Sequence, residues 1–176
     1  MIIGLTGYHS CGKSVLAESL SEAFKWDIVT KRNLFKEWSG VSGDDWVSWY
    51  RDLYTRMDSY DIMKELIKRI NYRKDPSKVI VMDAVHTIGE WSAIKDVDSD
   101  SLLIGVFVPK ECRIQRSSPE DLILDGKREK YWHKQETQEC LLSCVEWSFS
   151  GLLKPDTRLL EAEELYNFLL SSGKII

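Results

Sequence analysis

Short apolar runs alternate along this chain with longer amphipathic ones. The apolar runs are Ile2–Leu5, the short Asp27–Thr30, Val79–Asp83 and Leu102–Val108, with a weaker one near Trp147–Leu153. Runs of this length, rich in β-branched residues and bounded by turn formers, read as buried strands. Pro76 and Ser77 set off the third, and Pro109 ends the fourth. Between them the apolar positions recur at helical spacing. Helices are predicted from Lys13 to about Phe24, over an aromatic-rich stretch from about Asn33 to Tyr72, and over about Gly89–Lys95. Helical and polar sequence covers about Glu111–Trp147, and a helix at Glu161–Leu170 closes the chain. Uniformly apolar strands separated by helices imply a parallel sheet covered on both faces. With right-handed crossovers this is a three-layer α/β domain. No repeat, low-complexity tract or flexible linker interrupts the 176 residues, a length that suits one domain. Ligands of such folds bind at the carboxyl ends of the strands.

The first strand runs into Gly7-Tyr-His-Ser-Cys-Gly12-Lys13-Ser14, and the first helix follows at once. This is G-x-x-x-x-G-K-S, the phosphate-binding P-loop, in its strand–loop–helix setting. Gly7 and Gly12 permit backbone conformations and close approaches that a side chain would block. Amides of Tyr8, His9, Ser10, Cys11 and the helix start, through Val15, are placed to wrap a polyphosphate at the positive helix end. Lys13 is expected on the β and γ oxygens, and the Ser14 hydroxyl on magnesium. The cofactors implied are ATP and Mg2+. Asp83 ends an apolar strand and fits the second magnesium-organising position. An aspartate there also starts turns; the P-loop upstream favours the metal role.

The net charge of −4 argues against non-specific binding to a nucleic-acid backbone. No apolar run is long enough to span a bilayer, and the N-terminus lacks a basic leader, so the expected location is cytoplasmic. The four cysteines, Cys11, Cys112, Cys140 and Cys144, have no zinc-ligand spacing and read as reduced packing residues. Cys11 stands apart because it lies in the phosphate loop.

Ile2-Ile-Gly-Leu-Thr-Gly7 resembles the opening of dephospho-coenzyme A kinases. Asp83-Ala-Val-His-Thr-Ile-Gly-Glu90 is similar to a segment of archaeal kinases related to adenylate and dephospho-coenzyme A kinases. Pro109-Lys-Glu-Cys-Arg113-Ile-Gln-Arg116 resembles that group's passage from strand four into the lid. The resemblance implies a nucleoside-monophosphate-kinase-like fold with a five-stranded parallel sheet in order 2-3-1-4-5. It implies a single P-loop kinase domain: core at about 1–30, 77–112 and 145–176, a helical substrate-binding insert at about 31–76, and a lid at about 113–135. Arg113 then matches a residue that stacks on the donor base, and Arg116 one that clamps phosphate. A planar guanidinium suits both roles. The lid adds Lys127, Arg128 and Lys130, and its closure would bring cations to the transferring phosphoryl group. Two departures stand out. Ala84-Val85-His86 replaces the group's Gly-Val-Arg, and its arginine faces the acceptor phosphate; His86 is either a replacement donor or acid–base group, or a plain loop residue. Thr30-Lys31-Arg32-Asn33 stands where dephospho-coenzyme A kinases carry an aspartate base, and Asp27 comes too early. Basic residues at that strand end point instead to an anionic acceptor.

Trp38, Trp46, Trp49, Tyr50 and Tyr54 crowd the insert beside Arg51 and Arg56, with Arg69 and Arg73 further on. Aromatics interleaved with arginines suit a flat anionic ligand. Their helical spacing equally suits a small helical subdomain with its own core. Asp58, Asp61 and Glu65 read as a solvated helix face. The sequence thus predicts an ATP- and Mg-dependent small-molecule kinase. Lys13, Asp83, Arg116 and Arg128 are the candidate catalytic residues, and Ser14 and Asp83 the metal ligands. The expected acceptor is a nucleotide-like molecule such as a nucleoside monophosphate, with dephospho-coenzyme A as the alternative. A nucleotide-binding hydrolase or regulatory switch is the alternative of another class; the absence of Asn-Lys-x-Asp lowers a GTPase reading.

Overall fold

The structure is a computed structural model that describes residues 1–41, 46–72, 75, 77–119 and 133–175. In chain order the elements are β1 (Ile2–Thr6), α1 (Lys13–Phe24), β2 (Asp27–Thr30), α2 (Lys31–Ser39), α3 (Trp46–Arg56), α4 (Ser59–Arg69) and β3 (Ile80–Asp83). Then come α5 (Ile88–Val97), β4 (Leu102–Phe107), α6 (Lys110–Arg116), α7 (His133–Ser143), β5 (Trp147–Ser150) and α8 (Pro155–Ser171).

The five strands form one parallel sheet in the order β2-β3-β1-β4-β5. Central β1 is buried at every residue because both of its faces carry helices. Ile3 and Leu5 join Val81, Ile104 and Val106 under Leu16 and Leu20 of α1 and Leu165 and Leu169 of α8. Ile2, Met82 and Leu103 point to the other face, under Phe35, Leu53, Ile62, Leu66, Trp91 and Ile94 of α2–α5 and Cys140 of α7. Alternate residues therefore feed two different cores, and this is why the strands read as unbroken apolar runs.

Caps divide the long aromatic-rich stretch into separate helices. Thr30 accepts from the Asn33 amide at 3.4 Å to start α2, and Asp58 accepts from the Asp61 amide at 2.8 Å to start α4. Asp58 is thus a cap as well as an exposed residue of the expected solvated face. The closing helix starts at Pro155, well before the predicted Glu161, because proline fits the first helical position.

Helix α7 has a direction set by its sequel. β5 runs parallel to β4, so α7 descends from the carboxyl edge of the sheet to the amino edge. No helix among the described residues is long and apolar enough to cross a membrane.

Candidate active site

The loop between β1 and α1 turns where the chain has no Cβ to place. Gly7 has φ +148° and Gly12 φ +98°, both in the region that favours glycine. A Cβ on Gly7 would also stand 2.6 Å from the Val106 carbonyl oxygen. No side chain caps α1, so its amino end faces the loop without a capping partner. Tyr8, His9 and Ser10 are partly exposed, Cys11 is buried, and Ser14 and Val15 are exposed. Lys13 curls back over the loop. Its ammonium donates to the carbonyls of Gly7 at 2.8 Å and Tyr8 at 3.0 Å, with Cys11 Sγ at 3.7 Å.

Ser14 Oγ donates to Asp83 Oδ2 at 2.8 Å. β1 and β3 are neighbours with Leu5 opposite Asp83, and this register delivers the carboxylate to the first turn of α1. Two hard oxygens at the rim of a phosphate loop are a donor set suited to magnesium, which keeps several waters and takes few protein ligands. The loop, Lys13, Ser14 and Asp83 are therefore brought together.

The second half of α6 and its C-cap lean on the same loop. Arg113 lies with its guanidinium carbon 4.9 Å from the Tyr8 ring centre and donates to the His9 carbonyl at 3.3 Å. Ser117 Oγ donates to Ser10 Oγ at 2.8 Å. Arg116 donates to the Gly151 carbonyl at 2.8 Å, just past β5. Gly151 was not singled out by the sequence, yet it matters. Any Cβ there would overlap the Cys11 carbonyl oxygen, so only glycine lets the turn after β5 lie against the phosphate loop. A cleft of about 690 Å³ opens beside it, lined by Tyr8, Phe107, Val108, Ser150 and Leu152 among others. Lys127, Arg128 and Lys130 lie outside the described residues, as does most of the expected lid.

On the other side of the loop, the residues after β3 rest on a buried carboxylate. Thr87 caps α5 by accepting from the Glu90 amide at 3.0 Å. Glu90 is fully enclosed. Its Oε2 accepts from the His86 amide at 2.6 Å, and its Oε1 accepts from Lys31 Nζ at 2.6 Å and the Tyr54 hydroxyl at 2.9 Å. Burial, and then the Glu90 charge, push the Tyr54 phenol well above its ordinary range. The expectation that Lys31 offers its charge to an anionic acceptor is corrected here: the Lys31 ammonium is buried and neutralised by Glu90. Thr87-x-x-Glu90 is a capping-box pattern, and that signal would have placed Glu90 beside its own helix start. Its partners Lys31 and Tyr54 carry no such signal.

The aromatic residues of the insert pack mainly on one another. Phe35 holds Tyr50 edge-on at 4.8 Å, Trp38 meets Trp49 at 5.4 Å, and Tyr54 lies 4.8 Å from Tyr50. Phe35 belongs to the α2–α5 core, and Trp38, Trp49, Tyr50 and Tyr54 are partly buried against it. Arg69 covers the Trp38 ring at 4.7 Å. The Trp46 side chain and Arg73 lie outside the described residues. The four cysteines are free thiols.

No protein-family model and no curated protein matches the chain. Solved structures do match. A shikimate kinase from Aquifex aeolicus aligns with TM-score 0.55 and 17% identity, covering 98% of each chain. A shikimate kinase from Acinetobacter baumannii in complex with shikimate aligns with TM-score 0.60 and 13% identity, covering 97% of this chain and 93% of that one. A sugar kinase from Janibacter aligns with TM-score 0.50 and 11% identity, covering 94% of each. The chain has the P-loop kinase fold. At these identities the likeness is one of fold. It supports the resemblance to dephospho-coenzyme A and adenylate-kinase-related proteins only as far as the shared P-loop kinase architecture.

Proposed function

We propose that this protein is an ATP- and magnesium-dependent kinase of a small molecule, and that its acceptor reacts through a hydroxyl group. The observation that carries the kinase reading is the 2.8 Å contact between Ser14 and Asp83 at the mouth of a complete phosphate loop. Magnesium, when bound there with ATP, neutralises charge that develops on the phosphates. The chain's own residues do the rest. Loop amides and the α1 amino end hold the phosphate chain, and Lys13 exchanges the Gly7 and Tyr8 carbonyls for phosphate oxygens. Arg113 and Tyr8 offer a flat cationic surface beside the 690 Å³ cleft for the donor base. Arg116 leaves Gly151 to reach the transferring group, joined by Arg128 from the lid of a single domain with core, insert and lid as delimited above.

Two observations favour a hydroxyl acceptor over a phosphate. Lys31 is spent on Glu90 and adds no free positive charge to the acceptor side. The fold neighbours include two shikimate kinases, one of them in complex with shikimate, and a sugar kinase. A nucleotide-like acceptor is the second reading, favoured by the Arg69–Trp38 stack as a binding surface for a base or phosphate. Dephospho-coenzyme A would combine both features. Transfer from γ-labelled ATP to sugars, polyol acids, nucleosides, nucleoside monophosphates and dephospho-coenzyme A, with water as control acceptor, tests the reading. Release of phosphate to water alone would replace it with a hydrolase or switch.

A further inference from the structure

A second carboxylate stands beside Glu90, and the donor site does not use it. Glu136 lies in the first turn of α7, which packs against α5 and β1. One turn further on, Cys140 meets the side chain of Thr6, the last residue of β1. Because α7 descends toward the amino edge of the sheet, Glu136 lies above Thr6, level with the phosphate loop. It does so on the face covered by α2–α5, across from α1.

Glu136 Oε2 is shut off from solvent, and no group among the described residues donates to it. Thr6 is wholly buried, with its side chain against Cys140. Buried polar atoms are ordinarily paired, and an unpaired one at the carboxyl edge of the sheet calls for a partner such as a bound ligand. The charges nearby narrow the choice. Glu90 already has Lys31 as its counter-ion, while Glu136 has none among the described residues. Burial, and then Glu90 from α5 and Glu139 from its own helix, push the Glu136 carboxyl above its ordinary range. Such a site repels a phosphate or carboxylate and welcomes a hydrogen-bond donor.

We propose that Glu136 accepts a hydrogen bond from a hydroxyl of the phosphoryl acceptor, and so selects a polyhydroxylated small molecule over a nucleoside monophosphate. This rests on the kinase reading above. It assigns Glu136 to acceptor specificity, whereas Lys13, Ser14 and Asp83 serve the donor.

The test is steady-state kinetics of the full chain with γ-labelled ATP against sugars, polyol acids and nucleosides on one side and nucleoside monophosphates on the other, together with thermal melting. Glu136→Gln and Glu136→Ala should each raise the acceptor KM by about tenfold or more, since a lost hydrogen bond to a charged group is worth that much. The KM for ATP should stay within about twofold, and Glu136→Asp should recover part of the acceptor affinity. Melting temperatures should not fall, because an unpaired buried carboxylate opposes folding. Unchanged acceptor KM in both variants, or transfer confined to phosphate groups, overturns the inference and leaves the kinase standing. A joint rise in both KM values with a lower melting temperature assigns Glu136 a structural role and also overturns it. Absence of transfer from the unaltered protein to every acceptor, hydroxyl or phosphate, overturns both readings together.

Discussion

Ser14 and Asp83 are 69 positions apart in the chain and 2.8 Å apart in the fold. The parallel pairing of β1 with β3 closes that distance, and the hydroxyl and carboxylate it joins share no other purpose visible in the packing. Both side chains point out of the core. A hydroxyl and a carboxylate so placed are the kind of hard-oxygen donors that would hold magnesium.

Asp83→Asn should therefore impair magnesium-dependent turnover and leave binding of metal-free nucleotide nearly intact. The expected outcome is a shift of the magnesium activation curve to higher concentration with a fall in kcat. A magnesium titration of the rate, beside an equilibrium titration with nucleotide in chelator, measures the two separately.

Lys13→Ala should abolish phosphoryl transfer without unfolding the chain. The ammonium's close contacts are loop carbonyls, with the Cys11 sulfur at a longer 3.7 Å. Loss of a preorganised cation at a transferring phosphoryl group is typically worth a factor of about a hundred or more in rate. Melting temperature and turnover, measured on the same preparation, give the comparison.

Gly151→Ala should weaken ATP binding although residue 151 lies outside the phosphate-loop motif. A Cβ there overlaps the Cys11 carbonyl and presses on Val108, so the loop or the turn after β5 must shift. Overpacking of this kind costs about 1–3 kcal/mol. The expected result is a raised KM for ATP with a lowered melting temperature, while Gly173→Ala near the C-terminus, where a Cβ meets nothing, leaves the KM for ATP unchanged.

Lys31→Met and Glu90→Gln should each destabilise the protein strongly, by about 3–5 kcal/mol, because each leaves one buried charge unpaired. The double replacement Lys31→Met with Glu90→Gln should recover much of that loss. Urea unfolding of the four proteins forms a double-mutant cycle, and near-additive losses would show that the pair is not coupled.

Stability should also carry a pH signature from Glu136. Its folded carboxyl holds a proton more tightly than the unfolded one, because of burial and the neighbouring Glu90 and Glu139 charges. Between the ordinary carboxylate range and the raised value, the folded state binds more protons than the unfolded state. Its contribution is thus fully present below the ordinary range and is lost as pH rises through the raised value. Glu136→Gln should flatten the fall of the urea midpoint as pH rises above the ordinary carboxylate range, relative to the unaltered chain.

Much of this was readable along the chain. The apolar runs placed the strands, with the observed ones at Asp27–Thr30 and Leu102–Phe107 matching within a residue. Glycine, lysine and serine at fixed spacing placed the phosphate loop, because the chemistry of that loop is local: neighbouring amides and one adjacent side chain. Helix bounds were read less well where one side chain decides them, as Asp58 and Pro155 do at the starts of α4 and α8.

What the sequence by itself determined, then, is whatever depends on residues close in the chain: the parallel three-layer sheet and the donor-phosphate loop within it. Tertiary structure alone decided which distant residues share a charge or a surface. Lys31 looked like a cation offered to substrate, and only packing shows that Glu90, 59 positions on, has neutralised it. Nothing along the chain marks Gly151, and only the closeness of Cys11 shows why it has no side chain. Nothing along the chain marks Glu136; the packing of α7 over β1 and α5 encloses one of its oxygens. Spacing along a chain records local geometry, whereas desolvation and pairing depend on what the fold brings alongside.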